Sequence, residues 1–280
     1  MTTTETTTDT LAIGGDLTVR RLGFGALRLT DWDPMGRNEW AAAAGVARRA
    51  VELGVNHIDT ADSYDRGTNE ELLAEALYPY PDGLVIATKA GHARPSRREW
   101  VPLGRPEYLR QQCELSLRRL RLDRIDLFYL HRVDPLVPFE DQLGALRRLQ
   151  EDGKIRHIGL SEVTVERLEY ARQRVEVAAV QNLYNLADRR HERVLEYCER
   201  HGIAFVPWLP VADGRGFGPA AARVAADLSA TPTQVGLAWL LHRSPVLTPI
   251  PGTSSLAHLE ENVAAAGLTL TVAQYGLLTS

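Results

Sequence analysis

Four residues of types that carry acid–base chemistry stand at the ends of predicted strands: Asp59, Tyr64, Lys89 and His131. Asp59 ends the apolar run Val55–Asp59, and Tyr64 follows it after a short polar turn. Lys89 and His131 directly follow the next two predicted strands. Because parallel strands present their carboxyl ends at one edge of a sheet, we expect these four side chains to face one cavity.

Together these residue types can make a proton donor. A free tyrosine has a pKa near about 10 and is a poor proton shuttle at neutral pH. We expect the ammonium of Lys89 to lower the pKa of Tyr64, and the carboxylate of Asp59 to hold that ammonium in place. The imidazole of His131 can orient an oxygen or relay a proton. Each residue alone also has a structural explanation, such as a capping carboxylate or a core histidine, and their joint order favours catalysis.

The elements that would position these residues alternate along the chain. Eight short apolar runs are typical of buried strands, at 22–25, 55–59, 84–88, 125–130, 155–160, 178–181, 203–206 and 246–250. Amphipathic stretches with helical spacing lie at 39–53, 69–77, 107–121, 140–151, 165–174, 189–200 and 233–242. This alternation predicts an α/β fold, the closed parallel (β/α)8 TIM barrel. An open doubly wound sheet is the alternative, but residues 22–27 lack the third glycine of a Gly-x-Gly-x-x-Gly motif.

The N-terminal residues precede this barrel. Residues 1–10 are Thr-rich and of low complexity, and we expect them to form a disordered tail. Leu11–Ile13 and Leu17–Arg20, separated by a Gly-Gly-Asp turn, predict a β-hairpin. No linker, composition break or internal repeat divides the rest of the chain, so residues 11–280 are expected to form a single domain.

Composition disfavours several classes of function. The net charge of the 280 residues is -4, whereas a nucleic-acid-binding face requires a basic surface. The chain has neither an apolar run of the roughly 20 residues that a membrane span needs nor a signal peptide, so a cytoplasmic protein is expected. Cys113 and Cys198 lie in predicted helices far apart, which favours two structural thiols. We find no metal-ligand spacing and no Ser/His/Asp motif, and we expect a monomer or a weak homo-oligomer.

The chain resembles the aldo-keto reductase superfamily over about residues 11–267. The four strand-end residues match the family's Asp-Tyr-Lys-His tetrad in order and in strand context. Further matching segments are GVNHIDTADSY (54–64), IATK (86–89), DLFYLH (126–131), IGLS (158–161), QNLYN (181–185) and IPGTSSLAHLEEN (250–262). The family fold is a (β/α)8 barrel with an N-terminal hairpin over its bottom, which agrees with the predicted elements.

This resemblance implies an NADPH-dependent reductase of aldehydes or ketones that uses neither a metal nor a flavin. It implies that Tyr64 protonates the carbonyl oxygen as hydride arrives from the nicotinamide. Lys89, paired with Asp59, would tune Tyr64, and His131 would position the substrate oxygen.

The resemblance also implies which residues hold the cofactor. By similarity, Ser161 and Gln181 hold the carboxamide, and Trp208 stacks on the nicotinamide ring, although a buried strand-end tryptophan is the alternative. The 250–262 segment resembles the family's segment for the adenosine phosphate, with Thr253, Ser254 and His258 near the phosphate and Glu261 and Asn262 where adenine and ribose contacts are expected.

Two departures from the family pattern affect these assignments. Glu162 stands where the family often has Asn, and a carboxylate cannot donate a hydrogen bond, so more of the carboxamide falls to Ser161 and Gln181. Gly252 and His258 stand where many members have Lys and Arg facing the 2′-phosphate of NADPH. Helix N-terminal amides and nearby hydroxyls can still bind a phosphate. NADPH is therefore the expected cofactor, with NADH as the alternative.

The sequence defines the substrate less closely, and the candidates are a sugar, a pyridoxal-like compound or a secondary-metabolite carbonyl compound. Trp32, Arg132 and Tyr184 are the expected substrate contacts, and the long loops 90–104 and 211–218 are expected to border the site. Arg132 stands where many members have Trp and suits an acidic or hydroxylated aldehyde. The alternative for Arg132 is a surface ion pair with Asp134.

Two other functions remain open. A cofactor-binding sensor like the potassium-channel β subunits shares the fold and can keep the tetrad. A cofactor-independent barrel enzyme such as an isomerase is the other, although the 250–262 segment argues against it.

Overall fold

The computed structural model describes residues 9–30, 33–212 and 216–280. Residues 1–8 of the predicted tail and Trp32, a predicted substrate contact, lie outside the described residues. Two antiparallel strands come first, β1 (Thr10–Ile13) and β2 (Leu17–Arg20). Their inward residues, among them Leu17 and Val19, pack in the cluster that fills the barrel interior. The predicted hairpin therefore covers the bottom of the barrel.

The barrel wall is built from seven parallel strands among the described residues. They are β3 (Phe24–Gly25), β4 (His57–Asp59), β5 (Val85–Ala90), β8 (Ile125–Leu130), β9 (Ile155–Ser161), β10 (Val177–Gln181) and β11 (Ala204–Phe205). They pair in this order, each with the next. Nearly every residue of these strands is buried, since the inner face meets the barrel core and the outer face meets helices.

The segment of the eighth predicted strand, 246–250, closes the barrel without forming a regular strand. On one side Phe205 N–H donates to Val246 O at 2.8 Å, and Thr248 N–H donates to Phe205 O at 3.0 Å. On the other side Gly23 N–H donates to Pro249 O at 2.9 Å. Pro249 has no N–H, and neither does Pro251 just beyond the segment, so the ladder is interrupted. The predicted (β/α)8 barrel is confirmed, with an irregular last strand.

Ten α-helices occur among the described residues, and most of them surround the sheet. They are α1 (Arg37–Glu52), α2 (Thr68–Leu77), α3 (Pro106–Leu120), α4 (Phe139–Glu151), α5 (Val165–Arg172), α6 (Glu192–His201), α7 (Gly218–Asp227), α8 (Pro232–Arg243), α9 (Leu256–Ala264) and α10 (Val272–Thr279). Local signals explain their ends: Thr231 caps α8 through a capping box with Gln234, and Gly202 ends α6 at a φ of 63°. Helices α7, α9 and α10 were not predicted.

The predicted loop 90–104 contains a hairpin, β6 (His92–Ser96) paired with β7 (Glu99–Pro102). It follows β5 and therefore lies at the carboxyl end of the barrel. The register shifts between Ala93 and Ser96, and neither strand alternates buried with exposed residues, so the sequence pattern did not predict it.

Side chains fill the barrel interior and the layer between sheet and helices. Gly159 is required by this packing, because a Cβ there would lie 2.2 Å from Cδ1 of Tyr129. Cys113 and Cys198 are buried free thiols in the helix layer, as predicted. In the described part of the chain, no helix combines the length and apolar character needed to cross a bilayer.

Candidate active site

The ammonium of Lys89 is the centre of the predicted tetrad. Its Nζ donates to Asp59 Oδ1 at 2.5 Å, to the carbonyl oxygen of Thr60 at 2.7 Å and to Tyr64 Oη at 3.3 Å. Lys89 is fully buried, and these bonds use all three of its N–H donors. Its orientation toward the phenol of Tyr64 is therefore fixed.

Strand register brings these residues to one edge. β4 ends at Asp59, which pairs with Ala87 of β5, so Lys89 extends two residues further in the same direction. Asp62 N–H then donates to Lys89 O at 3.1 Å, which folds the following loop back and places Tyr64 over the strand end. His131 N–H donates to Ala90 O at 2.7 Å, which sets His131 beside this loop.

The phenol of Tyr64 is protonated in this setting. Burial raises the pKa of Tyr64 above its ordinary value of 10.0, and the ammonium of Lys89 opposes that rise without reversing it. The expectation that Tyr64 has a lowered pKa is therefore wrong for the protein alone. A protonated phenol can donate a proton, and the ammonium of Lys89 stabilises the phenolate that remains.

His131 is neutral in this site. Burial together with the cations Lys89 and Arg132 lowers its pKa well below the usual 6.5. Its Nδ1 lies 3.4 Å from Ser63 Oγ, and its ring meets that of Tyr64 edge to face at 6.1 Å. A neutral imidazole can exchange a hydrogen bond with an oxygen next to Tyr64, and the stronger proton donor is the phenol.

Three of the four tetrad residues face a cavity of about 520 Å³ at the carboxyl end of the barrel, and Lys89 lies buried behind them. Asp59, Tyr64 and His131 form one end of it, together with Gln181, whose Nε2 donates to Asp59 Oδ2 at 2.8 Å. The remaining walls are largely apolar and include Leu27, Trp100, Trp208, Val211 and Ile250. A pocket with one polar end and apolar walls can orient a small organic carbonyl compound.

The hairpin β6–β7 supplies two cavity residues that sequence reasoning did not name. The ring of His92 meets those of His131 and Trp100, each at 5.0 Å between centroids. Arg94 ties the hairpin to the Tyr64 loop by an ion pair with Asp65 at 3.0 Å. The sequence did contain a signal for these cavity residues, since a histidine and a tryptophan lie within a loop that was expected to border the site.

Glu162 fixes the indole of Trp208 at the cavity wall. Its Oε1 accepts hydrogen bonds from Trp208 Nε1 and from Leu183 N–H, both at 2.7 Å. His191 Nε2 lies 3.4 Å from Oε2. Although burial acts in the opposite direction, hydrogen bonds from these three donors lower the pKa of Glu162 to about 2. The carboxylate accepts from the indole and does not line the cavity.

Arg132 lines the cavity beside His131. Its Nη1 donates to the carbonyl oxygen of His131 at 2.6 Å and to Ser161 Oγ at 2.9 Å. The alternative ion pair with Asp134 does not form, because that carboxylate accepts from the backbone N–H groups of Gly104 and Leu136. Ser161, a predicted cofactor contact, lies behind Arg132 and is 1% exposed.

Tyr184 is not brought to the cavity, so its predicted role as a substrate contact is wrong. The side chain is fully buried and stacks on Trp239 of α8 at 6.0 Å. Its hydroxyl donates to Glu192 Oε2 at 2.5 Å. The residue packs between the sheet and the helices because that layer contains its aromatic partners.

The 250–262 segment leads away from the cavity. Gly252 lines the cavity itself, and Ser254 lines a neighbouring one. Thr253 is buried and accepts from Ser255 N–H at 3.0 Å, while the side chain of His258 is exposed.

The last two predicted contacts of that segment lie on α9. Asn262 is buried. The carboxylate of Glu261 accepts from Thr231 Oγ1 at 2.5 Å. Of the predicted cofactor contacts in this segment, Thr253 and Ser254 precede the N-terminus of α9, whereas Glu261 and Asn262 lie in its second half.

Gly252 is needed for barrel closure, which explains why no lysine stands there. A Cβ on Gly252 would lie 2.7 Å from the carbonyl oxygen of Gly25. We expect Gly252→Ala to lower the free energy of unfolding by about 1–3 kcal/mol, because backbone must shift. Gly144→Ala in α4, where nothing lies within 4 Å, is the control and should be neutral or stabilising. Equal melting temperatures for the two variants in thermal unfolding would contradict this explanation.

Sequence comparison agrees with this geometry. The profile of the aldo/keto reductase family matches residues 21–219 and 217–280. The chain belongs to the aldo/keto reductase family. An uncharacterised oxidoreductase of Schizosaccharomyces pombe is 50% identical over 261 residues, covering 91% of this chain and 84% of that protein. Pyridoxine 4-dehydrogenase of Escherichia coli is 42% identical over 267 residues, covering 91% and 92% of the two chains.

A solved aldo-keto reductase has the same fold. The enzyme of Klebsiella pneumoniae, in complex with NADPH, superposes with a TM-score of 0.82 at 27% identity, covering 96% of this chain and 93% of that one. The chain is thus an aldo/keto reductase, an oxidoreductase of the NAD(P)H-dependent type.

Proposed function

We propose that this aldo/keto reductase uses NADPH to reduce an aldehyde or ketone to the alcohol, with Tyr64 as the general acid. The observation that supports it best is the buried ammonium of Lys89, which donates to Tyr64 Oη at 3.3 Å and to Asp59 at 2.5 Å. Burial keeps the phenol protonated, and the ammonium stabilises the phenolate that remains after the proton is given up, as a general acid requires.

The tetrad residues act on the carbonyl oxygen of the substrate. The hydroxyl of Tyr64 and the neutral imidazole of His131 hydrogen-bond that oxygen at the polar end of the cavity. NADPH, when bound, would supply a hydride to the carbonyl carbon. As negative charge develops on the oxygen, the proton of Tyr64 passes to it, and the electron pair stays on the phenolate. Lys89 stabilises that phenolate, and Asp59 keeps the ammonium in place.

The cavity fits a nicotinamide ring. Trp208 offers a flat aromatic wall, and the amide of Gln181 offers a donor and an acceptor at the same end as Tyr64. The NADPH complex of the Klebsiella relative supports NADPH, whereas Gly252 and His258 leave the 2′-phosphate without the usual cations. The preference for NADPH over NADH therefore depends on hydroxyls and backbone N–H groups.

The similarity to pyridoxine 4-dehydrogenase supports a pyridoxal-like aldehyde as one substrate to test. Aromatic walls at Trp100 and Trp208 suit a flat ring.

Consumption of NADPH, and separately of NADH, tests the proposal. Purified protein is assayed with pyridoxal, benzaldehyde and an aliphatic aldehyde, and the alcohol product is quantified. We expect alcohol formation in equal amount to the NADPH consumed, at a higher kcat/KM than with NADH. Tight NADPH binding without turnover of a broad panel would contradict the reductase function and favour a cofactor-binding sensor.

A second prediction concerns the contact between Glu162 and Trp208. We expect Glu162→Ala to weaken NADPH binding about 10-fold, because the indole N–H and Leu183 N–H lose their acceptor. Glu162→Gln keeps an acceptor oxygen and should change the Kd by less than about 3-fold. Fluorescence titration with NADPH measures both. An equal loss in the two variants would show that the charge, and not the hydrogen bond, is needed.

The same contact can be isolated with a double-mutant cycle. Trp208→Phe keeps an aromatic face and removes the indole N–H. If Glu162 acts through the indole, the effects of Glu162→Ala and Trp208→Phe on the Kd are less than additive. Fully additive effects would contradict that role.

A further inference from the structure

The cavity contains a guanidinium whose charge no carboxylate neutralises directly. Arg132 is partly buried, and it forms no ion pair within the described part of the chain. Its protein hydrogen bonds there use Nη1 alone, which leaves Nη2 and Nε without protein hydrogen-bond acceptors. The guanidinium carbon also lies 5.9 Å from the centroid of the Trp208 ring. A partly buried charge without a counterion is costly, and in a cavity wall a ligand can supply the counterion.

The nearest acidic group does not fill this role. Glu162 attracts Arg132 electrostatically, but its oxygens accept from Trp208, Leu183 and His191 and are held by them.

The other ionisable groups at the cavity do not supply the missing negative charge either. The carboxylate of Asp59 is paired with Lys89. The imidazoles of His92 and His131 are neutral, because burial and the charge of Arg132 lower the pKa of both. At the end of the cavity near Tyr64, the guanidinium of Arg132 is therefore a cation with no carboxylate paired to it among the described residues.

The position of Arg132 defines where an anion would bind. Arg132 directly follows His131 and is close enough to Tyr64 to lower the cost of its phenolate. An anionic oxygen at Arg132 thus lies near the carbonyl that Tyr64 and His131 hold. The walls around it are apolar and include Trp100 and Trp208.

We propose that Arg132 binds an anionic oxygen next to the reacting carbonyl, so that the preferred substrates are flat, largely apolar aldehydes with such a group. A carboxylate and an ionised ring hydroxyl offer the same chemistry, and a guanidinium can bind either with parallel hydrogen bonds. This inference rests on the proposed reductase function, because it assigns the substrate class of the same cavity.

Matched benzaldehydes test it. We compare kcat/KM for 2-formylbenzoate, 4-formylbenzoate, 2-hydroxybenzaldehyde and benzaldehyde, with NADPH, in the wild type and in Arg132→Met. In the wild type we expect 2-formylbenzoate to exceed benzaldehyde at least about 10-fold, and the 4-isomer, whose carboxylate points away from its carbonyl, to show no such gain. In Arg132→Met the ratio of 2-formylbenzoate to benzaldehyde should fall about 10- to 100-fold.

Because kcat/KM for 2-formylbenzoate is divided by that for benzaldehyde in the same variant, a general loss of activity cancels. The control is Arg28→Met, since Arg28 lines the cavity mouth and is exposed to water, so its ratio should change less than about 3-fold. The ratio of kcat/KM for 2-hydroxybenzaldehyde to that for benzaldehyde is measured below and above the pKa of the ring hydroxyl. It shows whether an ionised hydroxyl can replace a carboxylate. If Arg132→Met does not fold, Arg132→Lys takes its place with an intermediate fall in the ratio, because it keeps the charge but not the parallel donors.

The outcomes distinguish failure of the anion site from failure of the proposed reductase function. A ratio that is unchanged in the Arg132 variant, or equally lowered in the Arg28 variant, overturns the inference and leaves the reductase function standing. If no aldehyde is reduced, the proposed function fails, and calorimetric titration with benzoate alone decides on the anion site. Benzoate binding that Arg132→Met weakens about 10-fold or more supports the site, and equal or absent binding overturns it.

Discussion

Tyr64→Phe is expected to lower kcat for aldehyde reduction by about 100- to 10,000-fold, the usual contribution of a general acid. The substitution keeps the buried ring and removes only the hydroxyl that Lys89 contacts at 3.3 Å. Because the proton donor acts in the transition state, the Kd for NADPH should stay within about 2-fold of the wild type. Steady-state kinetics and a fluorescence titration measure the two quantities.

The matched control for this variant is Tyr184→Phe. The hydroxyl of Tyr184 is hydrogen-bonded as well, as a donor to Glu192, but it lies in the helix layer away from the cavity. We expect Tyr184→Phe to lower stability and to leave kcat within about 3-fold of the wild type. Comparable losses of kcat in the two variants would show that the Tyr64 effect is structural.

Lys89→Met is expected to move the pH dependence of alcohol oxidation upward by about 1–3 pH units. Oxidation needs the phenolate of Tyr64, so its rate rises with pH through the pKa of Tyr64. Burial already raises that pKa, and Lys89 limits the rise, so removal of the ammonium raises it further. Reduction needs the protonated phenol, and its fall at high pH should move in the same direction. Coincident pH profiles for wild type and variant would contradict the role of Lys89.

The same substitution leaves the carboxylate of Asp59 buried without its cation. We expect a loss of about 3–5 kcal/mol in the free energy of unfolding, measured by denaturant titration. Asp59→Asn combined with Lys89→Met removes the unpaired charge and should recover part of that stability. A smaller upward movement of the pH profile should remain in the double variant, because the carboxylate of Asp59 also raises the pKa of Tyr64 but by less than Lys89 lowers it. This separates the tuning of Tyr64 from the stability of the fold.

The tetrad was predictable because each member stands at or near the end of a strongly apolar run. Once β4 and β5 pair in parallel, Asp59 and Lys89 must emerge at the same edge. The roles that depend on distant partners were not predictable. Tyr184 lies close to a strand end, yet its direction is set by Trp239, far along the chain.

The direction of the pKa of Tyr64 depended on burial as much as on its charged neighbour. Sequence showed the lysine, whereas the depth of the cavity depends on the whole barrel. Glu162 was identified from sequence as a departure from the family pattern, but its contact with Trp208 required the fold. The last strand is irregular because Pro249 and Pro251 lack donors, a local effect that the apolar pattern alone did not show.

Transfer of deuterium from NADPH that carries deuterium at both hydrogen positions of C4 of its nicotinamide ring tests the central claim most directly. The protein is incubated with the labelled cofactor and benzaldehyde, and the benzyl alcohol is analysed by mass spectrometry. The proposed reaction predicts one deuterium on the alcohol carbon, and a rate in Tyr64→Phe that is about 100- to 10,000-fold lower than in the wild type. Alcohol that contains no deuterium, or undiminished transfer in Tyr64→Phe, would contradict hydride transfer assisted by Tyr64.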